Sequence, residues 1–327
     1  MKKRVHELDF IKGLAILLVV IGHAVSQVWD PDPAVYEDSP VFRIIYSFHM
    51  PLFVFVSGCV CSMTLRQNFR WLGRRLRKIG IPYLLGLILW YGVLGRSTPS
   101  EFLSPMAYWY LPFIMVTDSV YFFEKRFRLR GLLFGSVFLA AVGFWGLVPI
   151  QADLANHIAD CLPFYAAGTL FPEAKKRLGR RALPIYAVSG ATFIALTPIS
   201  GHGIGGQFRR FEELTGTSPA GAVKLGLVLV NKLMLPACGI GLVLLLTAVI
   251  YAIPAFSRFR RSFETLGNNT LFIYILHDIF FFRPTENPIA DCIISAAAGV
   301  AVPLIVSLGY RKVRRYIRKI TSAVGYK

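Results

Sequence analysis

The sequence predicts an all-α polytopic membrane helix bundle of about ten transmembrane helices, with both termini cytoplasmic. Three observations carry that expectation. Hydrophobic residues make up 55% of the 327 and charged residues only 17%, where soluble domains carry about a quarter charged. Apolar stretches recur from end to end, at a mean hydropathy of +0.54. Basic residues cluster at alternate gaps between those stretches. Lys2-Lys3-Arg4, Arg66 to Lys78, Lys125 to Arg130, Lys175 to Arg181, Arg258 to Arg261 and Arg311 to Lys327 hold 28 of the 36 Lys and Arg. That alternation is what the positive-inside rule expects of cytoplasmic loops.

A net charge of +18 raises nucleic acid as a partner, but its distribution between spans argues against that class. Basic segments beside spans attract anionic lipid headgroups instead, so membrane lipids are the expected partners.

A span needs ~20 mainly apolar residues, and the candidates are taken in order. The stretch 8–28 follows a basic start, but Glu7, Asp9 and Lys12 interrupt its front, so it reads as an uncleaved first helix rather than a signal peptide. The stretch 41–62 enters after an acidic outer loop, 29–40, with Asp30, Asp32, Glu37 and Asp38. Spans 79–95 and 108–123 flank an outer loop at 96–107; spans 131–149 and 157–171 flank another at 150–156. Span 183–199 leads into an outer loop at 200–232, and span 233–253 follows. The whole of 222–253 is too long for one straight span and is interrupted by Asn231, Lys232 and Pro236. Its front is therefore assigned to an interfacial or re-entrant segment. Spans 264–283 and 289–308 close the bundle, and 309–327 forms a basic cytoplasmic tail. The chain thus reads as a single domain, 1–327, in the plasma (inner) membrane. The two halves show no repeat, which weakens a transporter reading. Cys59, Cys61, Cys161, Cys238 and Cys292 lack the paired spacing of a disulfide framework.

The candidate chemistry starts in the first span. His23 comes eleven positions after Lys12, with only apolar residues and glycine between, roughly 17 Å along a helix. An ionisable side chain at that depth is costly in lipid, so it faces a protein interior or a watery cavity. The plainer reading is a packing histidine bonded to a neighbouring helix. His49, in the second span, and His277, followed by Asp278 in the ninth, fall at a similar depth, in the outer half. Imidazole titrates near neutrality and can take and return a proton. A hydroxyl needs such a base before it attacks. Three histidines also suit a metal, but they are scattered singly with no short-range ligand motif, so none is expected.

Four segments resemble the acyltransferase-3 family of integral membrane O-acyltransferases: Glu7-Leu8-Asp9-Phe10-Ile11-Lys12-Gly13-Leu14-Ala15 through Gly22-His23; Ser47-Phe48-His49-Met50-Pro51-Leu52-Phe53 into Ser57-Gly58; Arg74-Arg75-Leu76-Arg77 followed by Ile81-Pro82-Tyr83; and Leu266-Gly267 with Ile273-Tyr274-Ile275-Leu276-His277. The His-Met-Pro-Leu-Phe form is closest to the branch associated with sugar O-acetylation. The resemblance implies transfer of an acyl group, acetyl as the usual one, from cytoplasmic acetyl-CoA to a hydroxyl of an extracytoplasmic glycan or lipid-linked sugar. His23 is then the candidate general base or transient acyl carrier. His49 and His277 position the acceptor or relay protons.

Lys12, Arg74, Arg75 and Arg77 are the candidate donor-binding residues. CoA is strongly anionic, and arginine's planar fork suits phosphate. Each cation alone is equally well explained as an ordinary positive-inside charge; the Arg-x-x-Arg spacing lifts Arg74 and Arg77. Lys12 and Asp9, three residues apart, share a helix face and can simply pair. Ser57 and Gly58 suit close helix packing better than nucleophilic attack. The rival classes are a proton-coupled transporter or a flippase for a lipid-linked sugar, and a silent membrane scaffold. A homo-oligomer is compatible with any of them. Two motifs are discounted. Gly201-His202-Gly203-Ile204-Gly205-Gly206 satisfies G-x-G-x-x-G without a βαβ context, and reads instead as a flexible outer loop. Asn268-Asn269-Thr270 is a glycosylation sequon expected to be cytoplasmic or buried.

Overall fold

A computed structural model describes residues 5–29, 33–93, 108–144, 152–201 and 203–323. Lys2-Lys3-Arg4, Asp30, Asp32, the outer loop at 96–107, His202 and Lys327 lie outside the described residues. Among the described residues every regular element is a helix, as the hydropathy pattern expected.

Five helical stretches are long and apolar enough to cross a membrane: His6–Trp29, Pro40–Thr64, Asn156–Ile199, Gly221–Ala252 and Pro288–Tyr316. Shorter apolar helices occur at Leu132–Ala141 and Thr270–Phe280. The elements are α1 (His6–Ala24), α2 (Pro40–Tyr46), α3 (His49–Thr64), α4 (Phe69–Leu87), α5 (Tyr110–Phe127), α6 (Leu132–Phe144), α7 (Ala152–Leu178), α8 (Ala182–Leu196), α9 (Gly203–Thr215), α10 (Gly221–Leu229), α11 (Leu235–Ala252), α12 (Ser257–Asn268), α13 (Thr270–Leu276) and α14 (Pro288–Ala323).

Several expected spans change shape, each for a local reason. The stretch 41–62 bends at Ser47-Phe48 between α2 and α3; Pro51 sits in the first turn of α3, where its missing N–H costs nothing. Helix α4 starts at Phe69, ten residues before the expected span, capped by Asn68 accepting from the Trp71 N–H at 2.8 Å. The basic run Arg70 to Lys78 is therefore helical. The expected loop 200–232 contains α9 and α10.

The segment 222–253 is one continuous helical run, not a re-entrant segment followed by a span. A π turn, Val230–Met234, widens the helix just before Pro236. That relieves the clash between the proline ring and the carbonyl four residues back. The span 264–283 is instead broken. Helix α12 ends at Asn268, α13 is only seven residues long, and a 3-10 turn follows at His277–Phe280. The break is held from α14, where Ser307 donates to Asn269 Oδ1 at 2.7 Å and Arg311 donates to the Asn268 carbonyl at 2.5 Å.

Helix α1 is the centre of the bundle, with Phe10, Ile11, Ala15, Ile16, Val19 and Val20 all buried. It packs backbone to backbone on α12. A Cβ on Gly267 would lie 1.7 Å from the Asp9 carbonyl oxygen, and one on Gly13 would lie 2.0 Å from that of Phe263. Gly58 and Gly168 bring α3 and α7 equally close. Small residues at helix contacts are how membrane bundles gain packing without a hydrophobic drive between helices. Leu84, Leu85, Ile88, Leu139 and Ile305 are exposed on the outside, an apolar coat suited to lipid.

Candidate active site

At the far end of α1, His23 meets the broken α13. Its ring centroid is 5.2 Å from that of His277, edge to face. His23 Nδ1 lies 3.5 Å from Asp278 Oδ1, and Gln27 Nε2 reaches the same oxygen at 3.5 Å. His277 points Nδ1 at the carbonyls of Tyr274 (2.8 Å) and Ile273 (3.1 Å), so that nitrogen carries a hydrogen. Its Nε2 is buried, 3.3 Å from Asp278 Oδ1 but not aligned for a hydrogen bond. His23 is a third exposed, while Asp278 and His277 are almost fully buried. The break after α13 produces this arrangement: the 3-10 turn swings consecutive His and Asp side chains toward one neighbour.

Toward the other end of α1 lies a cavity of about 490 Å³ whose charged lining residues are all basic: Lys12, Arg75, Lys78, Arg311 and Arg314. Ser57, Tyr110, Thr270 and Tyr274 add hydroxyls to the wall. Two of the cations are already paired, Lys12 with Asp9 at 2.6 Å and Arg75 with the buried Asp118 at 2.5 Å. Tyr165 also donates to Asp118, at 2.6 Å. Lys78 is exposed on α4, and partial desolvation at the cavity wall holds its ammonium below its ordinary pKa, with Arg75 and then Lys12 depressing it further. An anion in the cavity relieves that repulsion. Tyr274 joins the two regions, since it lines the cavity and its ring lies 6.0 Å from that of His277.

The acyltransferase domain of the acyltransferase-3 type matches residues 5–310. The chain belongs to the acyltransferase-3 family. It is 29% identical over 182 residues to nodulation protein NolL of Sinorhizobium fredii and 28% identical over 178 residues to nodulation protein NolL of Mesorhizobium japonicum. Each match takes in 50% of this chain and 48% or 47% of the relative, so the likeness spans about half the length of those proteins.

Within this acyltransferase-3 chain the candidate residues separate into groups. His23 and His277 come together with Asp278. His49 does not join them: its Nδ1 lies 2.8 Å from the Ile45 carbonyl, and its ring meets Tyr46 at 4.7 Å. Tyr46 in turn packs against Gly22, one layer behind His23. Lys12 and Arg75 line the cavity. Arg74 and Arg77, favoured by their spacing, are exposed and absent from its wall. At about 100° per residue, Lys78 falls between Arg74 and Arg75 around α4, whereas Arg77 points about 160° away from Arg75.

Arg311 and Arg314 read as tail charges in the sequence, yet α14 continues unbroken from its span into them. An i, i+3 pair on that continuation was the available signal. Asp118 and Gln27 gave none. The three donor atoms of His23, His277 and Asp278 all lie within 4.8 Å of one another, a grouping that a metal ion fits. Scattered sequence positions hide that grouping. Gly58 acts as the sequence suggested, in close packing, while Ser57 bonds Tyr110 Oη at 2.5 Å. The sequon residue Asn269 is buried.

Proposed function

We propose that this chain is a membrane O-acyltransferase carrying an acyl group, acetyl as the expected one, from a CoA thioester to a hydroxyl of an extracytoplasmic glycan or lipid-linked sugar. The proposal includes ten spans, cytoplasmic termini, a single domain over 1–327 and a plasma-membrane location. Family membership supports acyl transfer. The observation that carries the reading is the pairing of an all-basic cavity with a histidine pair through one residue, Tyr274. A phosphate-rich donor and a proton acceptor thereby occupy two ends of one path through the bundle.

In this mechanism the cations of the cavity bind the donor phosphates, with Lys78 and Arg314 adding to Arg75 and Lys12. The thioester extends past Tyr274 toward His23. Asp278 faces His23 Nδ1, which leaves Nε2 to accept the proton of the attacking hydroxyl and lets the carboxylate stabilise the imidazolium. The hydroxyl oxygen bonds to the thioester carbonyl carbon, the C–S bond breaks, and the proton passes to the CoA sulfur. The products are an ester and free CoA thiol.

The test uses purified protein in proteoliposomes, acetyl-CoA and an acceptor glycan. His23→Ala and Asp278→Asn each lower thiol release by about 10²- to 10⁴-fold, the range of a lost general base. Unchanged transfer in His23→Ala refutes the mechanism. Sugar movement without CoA release favours the flippase reading instead. The grouping of His23, His277 and Asp278 supports one second reading, a divalent metal site. Activity lost to a chelator and restored by one metal assigns them to it.

A further inference from the structure

Buried polar atoms without hydrogen-bond partners are rare, and each asks for an explanation such as a bound molecule. Among the described residues they are Arg43 Nε, Asn156 Oδ1, Gln207 Nε2 and Oε1, and His277 Nε2. All belong to the histidine end of the bundle. Gln207 is fully buried, on α9, which packs against the π turn Val230–Met234. That turn carries Lys232, ion-paired with Asp160. One turn from Asp160 on the same face of α7, His157 stacks on Trp109, ring centroids 3.9 Å apart and 11° from parallel.

The level of this group follows from contacts at the opposite end. Lys175 of α7 pairs with Glu7 of α1. Asp160 lies fifteen residues earlier on α7, or ~22 Å away along the axis. Tyr251 of α11 donates to Glu264 at 2.8 Å, and Glu264 meets His6 at 2.7 Å. Lys232 lies nineteen residues before Tyr251, or ~28 Å. His23 lies sixteen residues beyond Glu7, or ~24 Å. The Asp160–Lys232 pair is therefore level with His23. Three ring contacts bridge the lateral gap: Trp109 to Tyr110 at 6.4 Å, Tyr110 to Tyr274 at 5.6 Å and Tyr274 to His277 at 6.0 Å.

We propose that Asn156, Asp160, Lys232 and Gln207, beside the Trp109–His157 stack, form the acceptor cleft, and that its ligand is a sugar ring with adjacent hydroxyls. The assignment as acceptor rests on the acyl-transfer reading above; the sugar site itself does not. A carboxylate and amide oxygens accept from hydroxyls, while the ammonium and amide N–H groups donate to them. The aromatic edge suits the C–H face of a pyranose. A lipid tail satisfies none of these atoms, and an ion pair at this depth marks a functional site rather than a stabilising one. The π turn fits that pattern, since such turns recur at functional sites.

Saturation-transfer NMR on the detergent-solubilised full chain, with methyl hexosides, methyl 6-deoxyhexosides and methyl N-acetylhexosaminides as probes, tests the cleft directly. Wild type binds at least one of them. Asp160→Asn and Lys232→Met weaken that binding by about tenfold or more. Because breaking an ion pair can unfold a protein, Asn156→Leu and Gln207→Leu serve as second variants. They remove unpaired polar atoms, so they keep or raise Tm while still weakening sugar binding. Wild type that binds none of the probes overturns the cleft. So does binding unaltered by Asn156→Leu and Gln207→Leu with a raised Tm, which assigns those atoms to ordered water. If wild type binds sugar but consumes no acetyl-CoA, and the variants lose that binding, the cleft stands and the acyl-transfer reading alone falls.

Discussion

Arg75 has two potential duties, and a double-mutant cycle separates them. Its Nε lies 2.5 Å from Asp118, whose side chain is completely buried, and its guanidinium also lines the basic cavity. Removing one partner of a buried pair leaves the other charge uncompensated, at a cost of about 3–5 kcal/mol. Arg75→Met therefore loses about that much stability. It leaves Asp118 held by neutral groups such as the Tyr165 hydroxyl at 2.6 Å in place of a cation. Adding Asp118→Asn removes the stranded charge while keeping an acceptor for Tyr165, so the double variant recovers most of the loss. Donor binding does not recover, because the cavity still lacks one cation. The assays are unfolding of the purified protein in mixed detergent and the KM for acetyl-CoA. A loss below about 1 kcal/mol in Arg75→Met refutes the burial argument. Recovery of donor KM in the double variant refutes Arg75 as a phosphate ligand and leaves it a purely structural residue.

Two further outcomes follow from the same structure. Gly267→Ala drives a methyl into the Asp9 carbonyl region, so it costs about 1–3 kcal/mol or more by overpacking. Gly226→Ala, where nothing lies within 4 Å, is neutral or slightly stabilising; equal melting shifts for the two variants contradict the α1–α12 contact. Lys78, whose pKa is lowered from 10.5 by partial desolvation and by Arg75 and Lys12, binds fewer protons folded than unfolded between its lowered value and 10.5. Across that window its contribution makes the apo protein more stable as pH rises. A polyanion reverses the effect, because its binding takes up a proton. CoA affinity measured by calorimetry therefore weakens as pH rises through the lowered pKa, and Lys78→Met flattens that part of the profile. A profile equally steep in the variant rules out Lys78 as its source.

The membrane class, the alternation of basic clusters with apolar stretches and the family motifs were all legible in the chain because each is written in local composition or fixed spacing. The glycines at 13 and 267 were legible only as family residues. Their role as a backbone contact needs two helices side by side. The π turn before Pro236 was missed because a proline in an apolar run signals a break, and whether the helix widens instead depends on its neighbours. The broken α13 was missed for the converse reason: an unbroken apolar pattern spans it, and the side chains that hold the break come from α14.

By itself, then, the sequence determined a helical membrane protein of the acyltransferase-3 family with His23 above Lys12 on one helix, since helical rise converts spacing into depth. Only the tertiary structure decided which partners those residues meet. Burial and pairing depend on helix rotation and on contacts between segments distant in the chain. They set Asp278 and His277 beside His23, leave His49 behind Tyr46, and turn Arg75 rather than Arg74 or Arg77 toward the cavity.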